Sequence, residues 1–117
     1  MTIDGSSRPL AYAVVICTLE RAPVLGRPKL ARIAVGAWGE MVGQALLACA
    51  VRPDQVRAVI RAPDLQTLDR WVEAYKALSQ ARLLEAIRRF YADDLLDAVT
   101  LYSPVWPGVV YRLWQPG

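Results

Sequence analysis

Histidine is absent from the sequence, and this absence excludes several kinds of active site. The chain cannot build a Ser-His-Asp or Cys-His nucleophile system, and no histidine can act as a general base. Zinc sites with histidine ligands are excluded for the same reason. The two cysteines, Cys17 and Cys49, are too few for a zinc site by themselves and lie in apolar segments. We therefore predict buried, reduced thiols, as expected in a reducing cytoplasm.

Long apolar runs are also lacking. No segment reaches the ~18 apolar residues that a membrane helix requires. The best candidate, residues 41–51, is bounded by Glu40 and Arg52. Residues 1–9 are polar and have neither the basic start nor the apolar centre of a signal peptide. We expect a flexible leader over residues 1–9 and a single cytoplasmic domain over residues 10–117.

Lysine is scarce. Of the 14 basic residues, only Lys29 and Lys76 are lysines, and the others are arginines. Arginine favours bidentate contacts with phosphate or carboxylate, and the formal net charge of +3 permits a nucleic-acid partner without requiring one. The 117 residues are 55% hydrophobic, which is enough for one domain with a core and argues against intrinsic disorder.

The hydrophobic pattern predicts six main elements and one short additional helix. A β-branched run over residues 12–19 predicts a strand, and Pro23 and Gly26 predict a loop over residues 20–27. Apolar residues at steps of three and four predict a helix from Pro28 to Ala45. The remaining predicted elements are strands at 46–51 and 55–62 joined by a turn at 52–54, a long helix from Pro63 and Asp64, a short helix at 93–102, and a last strand at 108–114.

The order β-α-β-β-α-β predicts an α+β, ferredoxin-like sandwich, with an antiparallel sheet and both helices on one face. We expect strands 12–19 and 55–62 to be adjacent and central. Side chains alternate between the two faces of a strand, so every second residue of strand 55–62 is predicted on the buried face and the others on the open face. The open set is Gln55, Arg57, Val59 and Arg61. Three glycines in the first helix, Gly36, Gly39 and Gly43, indicate close packing on the sheet or, alternatively, a dimer contact.

The middle of the chain carries a family resemblance. Residues 46–63, LLACAVRPDQVRAVIRAP, resemble the signature of the IS200-like single-tyrosine (HUH-type) transposases and their relatives associated with repetitive palindromes, approximately LxAYVVMPDHVHLLV. Pro53, Asp54 and Val56 match that signature. Residues 11–25 resemble the family's first strand and the loop after it. The resemblance extends over residues 11–114.

Two further segments support the resemblance. WVEAYKALSQARLL is similar to a family helix with an aliphatic-Lys-x-x-Ser pattern, and Lys76 and Ser79 occupy those places. More weakly, Trp106 and the strand beyond it resemble the family's Trp-x-x-Gly-Tyr strand. The resemblance implies common ancestry and fold, a DNA partner, and a homodimer, as is general in the family.

The departures from the family pattern concern its active site. In the family, two histidines on the open face bind a divalent metal, which polarises the scissile phosphate for attack by a tyrosine. The matching positions here are Gln55 and Arg57, and the histidine after the family's first-strand tyrosine is matched by Ala13. Glutamine is a poor metal ligand, and arginine does not deprotonate to become one. The sequence ends at Gly117, so we also expect the nucleophile's helix to be absent. These departures predict no enzyme activity, no metal and no cofactor.

Four basic residues are candidates for DNA binding. Arg57 and Arg61 are either solvated side chains on an open sheet face or, in the case of Arg57, a direct phosphate contact in place of the metal. Lys76 and Arg82 either extend a basic track or form ordinary surface pairs with carboxylates of their own helix. The carboxylates available for such pairs are Asp69, Glu73 and Glu85.

Other residues receive structural interpretations. Tyr75 lies on the apolar stripe of its helix and is expected in the core, whereas Tyr91, Tyr102 and Tyr111 have no activating group nearby in sequence. Asp64 is expected to cap a helix, and Asp54 to stabilise a turn. The four tryptophans, Trp38, Trp71, Trp106 and Trp114, are expected in packing or dimer interfaces.

Two functional hypotheses follow from the sequence. The first is a catalytically inactive, transposase-related protein that retains binding of single-stranded or hairpin DNA. The second is a ferredoxin-like homodimer that binds a protein or small ligand and has no DNA role. An enzyme with new chemistry is disfavoured, because the chain has neither histidine nor paired carboxylates. The sequence indicates no membrane partner.

Overall fold

The computed structural model describes residues 10–91, 102 and 109–113. The predicted leader and nearly all of the predicted helix at 93–102 lie outside these residues. The main elements are the strands and helices β1 (Leu10–Cys17), α1 (Pro28–Val42), β2 (Leu46–Arg52), β3 (Gln55–Ala62), α2 (Leu65–Phe90) and β4 (Val109–Leu113). Within the described part of the chain, no helix is long and apolar enough to cross a membrane.

The strands form one antiparallel sheet in the order β2-β3-β1-β4. The prediction that the first and third strands are adjacent and central is therefore confirmed. Val15 lies opposite Arg57, and Ile16 lies opposite Val56. The chain is α+β, with two helices beside this sheet.

The helices cover the sheet face that alternation assigns to the core. Tyr12 and Val14 of β1 and Val56 and Ile60 of β3 are at most 3% exposed and belong to the same buried cluster as the apolar residues of α1 and α2. At 25 cal/mol for each Å² of apolar surface, burial of one such side chain contributes roughly 1.5–3 kcal/mol. In the part of the chain that the structure describes, neither helix covers the opposite face of the sheet.

An aromatic pair joins the two helices. The rings of Trp38 in α1 and Tyr75 in α2 stack with centroids 4.1 Å apart and planes 7° apart. The hydroxyl of Tyr75 donates to the carbonyl oxygen of Ala34 over 2.9 Å. Both rings are fully buried, so the prediction that Tyr75 belongs to the core is confirmed.

Two element ends differ from the predictions. β1 runs over Leu10–Cys17 rather than 12–19, because the backbone N–H of Thr18 bonds to the Asp54 carbonyl and the chain then enters a 3-10 turn at Leu19–Arg21. α1 ends at Val42 rather than at Ala45, because Gly43 adopts a φ of 54° and donates its N–H to Gly39. A positive φ suits glycine and ends a helix.

The interpretation of the α1 glycines as close packing on the sheet is wrong. A Cβ added at Gly36, Gly39 or Gly43 meets nothing within 4 Å among the described residues. These glycines therefore do not serve to bring α1 close to the sheet. The alternative, a contact between two copies of the chain, stays a prediction.

The predicted cap at the start of α2 is confirmed, since the Asp64 carboxylate accepts a 2.7 Å hydrogen bond from the Thr67 backbone.

Candidate functional site

The open face of the sheet carries a groove of about 740 Å³. Its floor is formed largely by small side chains, including Ala13 of β1 and Ala48 and Ala50 of β2. Polar groups come from Arg21, Gln55 and Arg57. Small residues on the floor and the exposed guanidinium of Arg57 give a recess that is open to solvent.

Arg57 and Gln55 are paired within β3. The Nε of Arg57 donates to Gln55 Oε1 over 2.6 Å. Arg57 is exposed, whereas Gln55 is only 6% exposed, although both side chains line the groove on the open face. Gln55 is covered because it lies between Cys17 of β1 and Arg52 of β2, with the Arg57 guanidinium held against its amide.

A second arginine is fixed beside the groove by the turn between β2 and β3. Arg21 Nε donates to Asp54 Oδ2 over 2.7 Å, and its terminal nitrogen lies 2.7 Å from the same oxygen. Glu20 and Arg21 both have a positive φ, 54° and 57°, which is unfavourable for residues with a Cβ. Contacts with the rest of the protein must therefore hold the backbone of Glu20 and Arg21 in this conformation, which places Arg21 at the edge of the groove.

Thr18 supplies much of that support. Its side chain is 2% exposed, and its hydroxyl lies 2.8 Å from the Ala22 carbonyl oxygen and 3.1 Å from the Asp54 carbonyl oxygen. The backbone N–H of Leu25 also donates to Pro53 over 2.9 Å. The loop after β1 is therefore bound to the Pro-Asp turn at several points, and this contact places Arg21.

Gln55 and Arg57, which match the metal-binding histidines of the family that the sequence resembles, do not fit a divalent metal. The side-chain oxygen of Gln55 already accepts a charge-assisted hydrogen bond, and the neighbouring group is a permanent cation. No cluster of three or more histidine, cysteine, aspartate or glutamate residues occurs among the residues that the structure describes. The positions matched to the family's metal ligands therefore carry an amide and an exposed guanidinium joined by a hydrogen bond.

The four predicted DNA-binding residues are not brought together. Arg57 lies in the groove, and Arg61 is exposed on the same strand but does not line the groove. Lys76 and Arg82 belong to α2, in the layer that covers the other face of the sheet. They cannot act as one continuous track with Arg57 across the groove.

The expected partner of Arg82 is wrong. Both terminal nitrogens of Arg82 donate to Glu40 of α1, over 2.7 and 2.8 Å, rather than to a carboxylate of α2. The hydrogen bonds from Arg82 lower the pKa of Glu40. The pair spans 42 positions of sequence, so helical spacing within α2 gives no signal for it.

The buried tyrosines are not available as nucleophiles. Burial raises the pKa of both Tyr75 and Tyr102. Tyr102 is hydrogen bonded with Ser79, whose hydroxyl also donates to the Tyr75 carbonyl. Tyr91 packs beneath the guanidinium of Arg27, 4.5 Å from its ring centroid, and Tyr111 lies opposite Ala13 in the strand register.

The cysteines and tryptophans confirm only part of the predictions. Cys17 and Cys49 are free thiols, but they are half-buried rather than buried, because both line the groove. Partial burial raises the pKa of Cys49. Trp38 lies in the core and Trp71 packs against it, whereas Trp106 and Trp114 lie outside the described residues.

Sequence reasoning missed Arg21 as a residue of the site. It lies 33 positions before Asp54, in a segment whose only recognisable feature is a loop. The sequence offers only an indirect signal for Arg21, namely that the Asp54 carboxylate in the Pro-Asp turn can bind a cationic side chain from a loop that folds back onto the turn. Nothing in the spacing identifies which cation.

Comparison with solved structures finds the same architecture elsewhere. A crystal structure of a "putative transposase" from Deinococcus radiodurans R1 superimposes with a TM-score of 0.71 and 21% sequence identity, covering 99% of this chain and 86% of that one. At this identity the likeness establishes a shared fold. No protein-family model matches the sequence, and no curated protein matches it.

Proposed function

We propose that the chain is a transposase-related protein of the IS200-like class, with a ferredoxin-like sandwich, that binds single-stranded or hairpin DNA without cutting it. The shared fold with the Deinococcus protein supports the relationship, and the strand order β2-β3-β1-β4 with antiparallel neighbours supports the ferredoxin-like assignment. We include a homodimer and a cytoplasmic location in this proposal. Free thiols at both cysteines are consistent with the location.

The observation that carries the proposal is the position of Arg57. Its guanidinium lines a groove on the open face, and the Gln55 amide holds it through Nε. Among the described residues, its two terminal amino groups have no hydrogen-bond partner. A guanidinium with two adjacent free donors matches two oxygens of a phosphate. Arg21, at the edge of the groove, is already paired with Asp54, so the charge of Arg57 carries the proposal.

Strand transfer is not part of the proposed function. The family's chemistry requires a metal to polarise the phosphate, and Gln55 and Arg57 are unsuited to hold one. A guanidinium at that position attracts the phosphate but provides no coordination site for a metal. The proposed role is therefore recognition of DNA.

Fluorescence anisotropy with labelled single-stranded, hairpin and duplex DNA tests this function. We expect salt-sensitive binding of the single-stranded and hairpin probes that is the same in Mg²⁺ and in EDTA. Absence of binding at low salt contradicts the DNA role. A covalent tyrosine–DNA adduct formed by the unmodified protein contradicts the claim of inactivity.

The groove also favours a second candidate function. Its volume falls within the range of small-molecule sites, and Ala, Val and Cys side chains supply much of its lining. A small anionic ligand held by Arg57 is the corresponding alternative, within a homodimeric ligand-binding protein. Protection of the protein against thermal unfolding by small organic phosphates, without any DNA binding, favours this alternative.

A further inference from the structure

A cationic and aromatic patch lies where α1 begins and α2 ends. The Nζ of Lys29 lies 4.2 Å from the ring centroid of Phe90, and the guanidinium carbon of Arg89 lies 5.8 Å from the same centroid. Phe90 is 52% exposed although it is the only phenylalanine in the chain. We call Lys29, Arg89 and Phe90 the Phe90 patch.

Packing does not explain the exposed phenylalanine. Phe90 does not belong to the buried core cluster, whereas its neighbour Tyr91 is partly buried and packs against that cluster. Arg88 and Arg89 in the last turn have an ordinary structural reason, because cations there interact favourably with the helix dipole. That reason does not extend to an apolar ring in solvent beside a lysine from another helix.

The Phe90 patch lies at the same end of the fold as the groove. Leu25 bonds to Pro53 in the turn between β2 and β3, and α1 begins three residues later at Pro28. Arg27 then stacks over Tyr91 at the end of α2. A chain of direct contacts thus leads from the turn beside Arg21 to the end of α2, around one end of the molecule.

We propose that the Phe90 patch is a second contact for single-stranded nucleic acid, at which an unpaired base stacks on Phe90 and the adjoining phosphates lie against Lys29 and Arg89. The proposal rests on the proposed function, and extends it from one phosphate contact to a strand that passes around the end of the fold. Aromatic rings beside cations are the usual combination in such contacts, and the stacking tolerates any base. Duplex DNA is disfavoured because its bases are already stacked.

The test compares Phe90→Ala with Leu65→Ala. Leu65 is also 52% exposed, but it lies at the opposite end of α2 and therefore controls for loss of an exposed apolar side chain. Three probes are used in anisotropy titrations: a thymidine 12-mer, a 12-mer of abasic phosphodiester, and a thymidine 3-mer. Poly-glutamate of matched charge is used as a competitor.

We expect Phe90→Ala to weaken binding of the thymidine 12-mer roughly tenfold, as for loss of one stacked base, and Leu65→Ala to leave it unchanged. The abasic 12-mer should bind both variants and the unmodified protein equally. The Lys29→Ala variant should bind both 12-mers more weakly and with a lower salt dependence, since it removes a phosphate contact.

The outcomes separate this inference from the proposed function. If the unmodified protein binds the 3-mer and the 12-mer but Phe90→Ala matches Leu65→Ala on both, the patch is refuted and groove binding stands. If no probe binds, the proposed function fails first. If Phe90→Ala weakens the abasic and the thymidine 12-mers equally, base stacking is refuted. Competition by poly-glutamate as effective as that by the thymidine 12-mer indicates an acidic polypeptide and overturns the assignment to nucleic acid.

Discussion

Arg57 and Gln55, two residues apart on one strand, are joined by a 2.6 Å hydrogen bond from Nε to Oε1. This bond occupies the side-chain oxygen of Gln55 and holds the Arg57 guanidinium beside it. Gln55 is buried and Arg57 is exposed, so in the proposed function Gln55 supports the guanidinium and Arg57 makes the contact with phosphate.

The first prediction concerns metal binding. The unmodified protein should bind no Mn²⁺ at this site, whereas Gln55→His combined with Arg57→His should acquire a Mn²⁺ site, because two imidazoles on the same face replace an amide and a cation. Isothermal titration calorimetry and Mn²⁺ paramagnetic resonance measure this gain. The two single variants are the controls, and equal Mn²⁺ binding by Arg57→His alone contradicts the role of the pair.

The second prediction separates the two layers of the fold. Arg82→Ala should leave affinity for single-stranded DNA unchanged, since Arg82 lies in the helix layer and both of its terminal nitrogens bond to Glu40. Anisotropy titration of Arg82→Ala beside Arg57→Ala provides the comparison. A loss of affinity in Arg82→Ala as large as that in Arg57→Ala contradicts this prediction, because it shows that DNA also contacts the surface formed by Arg82 and Glu40.

The third prediction concerns alkaline stability. Burial raises the pKa of Tyr75, so above about pH 10 the unfolded chain releases this proton while the folded protein retains it. The free energy of unfolding should therefore be unaffected by this group at lower pH and fall as pH rises beyond 10, by about 1.4 kcal/mol per pH unit for one such phenol.

Urea unfolding at pH 8 to 12 measures this slope, and Tyr75→Phe is the comparison. The variant should lose about 1 kcal/mol at neutral pH with the hydrogen bond to Ala34, but its stability should fall less steeply above pH 10. Identical slopes for the two proteins contradict the assignment of a neutral, buried phenol.

The sequence predicts the framework better than the site. The β-branched run in β1 and the alternation in β3 are local patterns, and both identify the central strands. The burial of Gln55 depends on its neighbours in the sheet and on the Arg57 side chain. The recruitment of Arg21 depends on a loop that folds back onto the Pro-Asp turn, and no local periodicity encodes that contact. The end of α1 was mispredicted for a similar reason, because apolar spacing continues beyond Gly43 although the backbone turns there.

The fourth prediction concerns assembly. We expect a dimer at micromolar concentration, because neither α1 nor α2 covers the groove face of the sheet and β2 is an edge strand with Leu47 39% exposed. Sedimentation equilibrium gives the mass, and a strictly monomeric species contradicts the prediction. Gly39→Ala tests whether the α1 glycines form the dimer contact. The added Cβ has free space within the described chain and should stabilise the helix. Dissociation of the dimer in this variant therefore indicates that α1 faces the partner.

The most direct measurement is the salt dependence of single-stranded DNA binding by the unmodified protein and by Arg57→Ala. We predict that the variant binds about 1.5–3 kcal/mol more weakly, as expected for a charge-assisted hydrogen bond, and that the slope of log affinity against log salt falls by about one phosphate contact. Equal affinities and equal slopes for the two proteins contradict the claim that Arg57 contacts the phosphate in the groove.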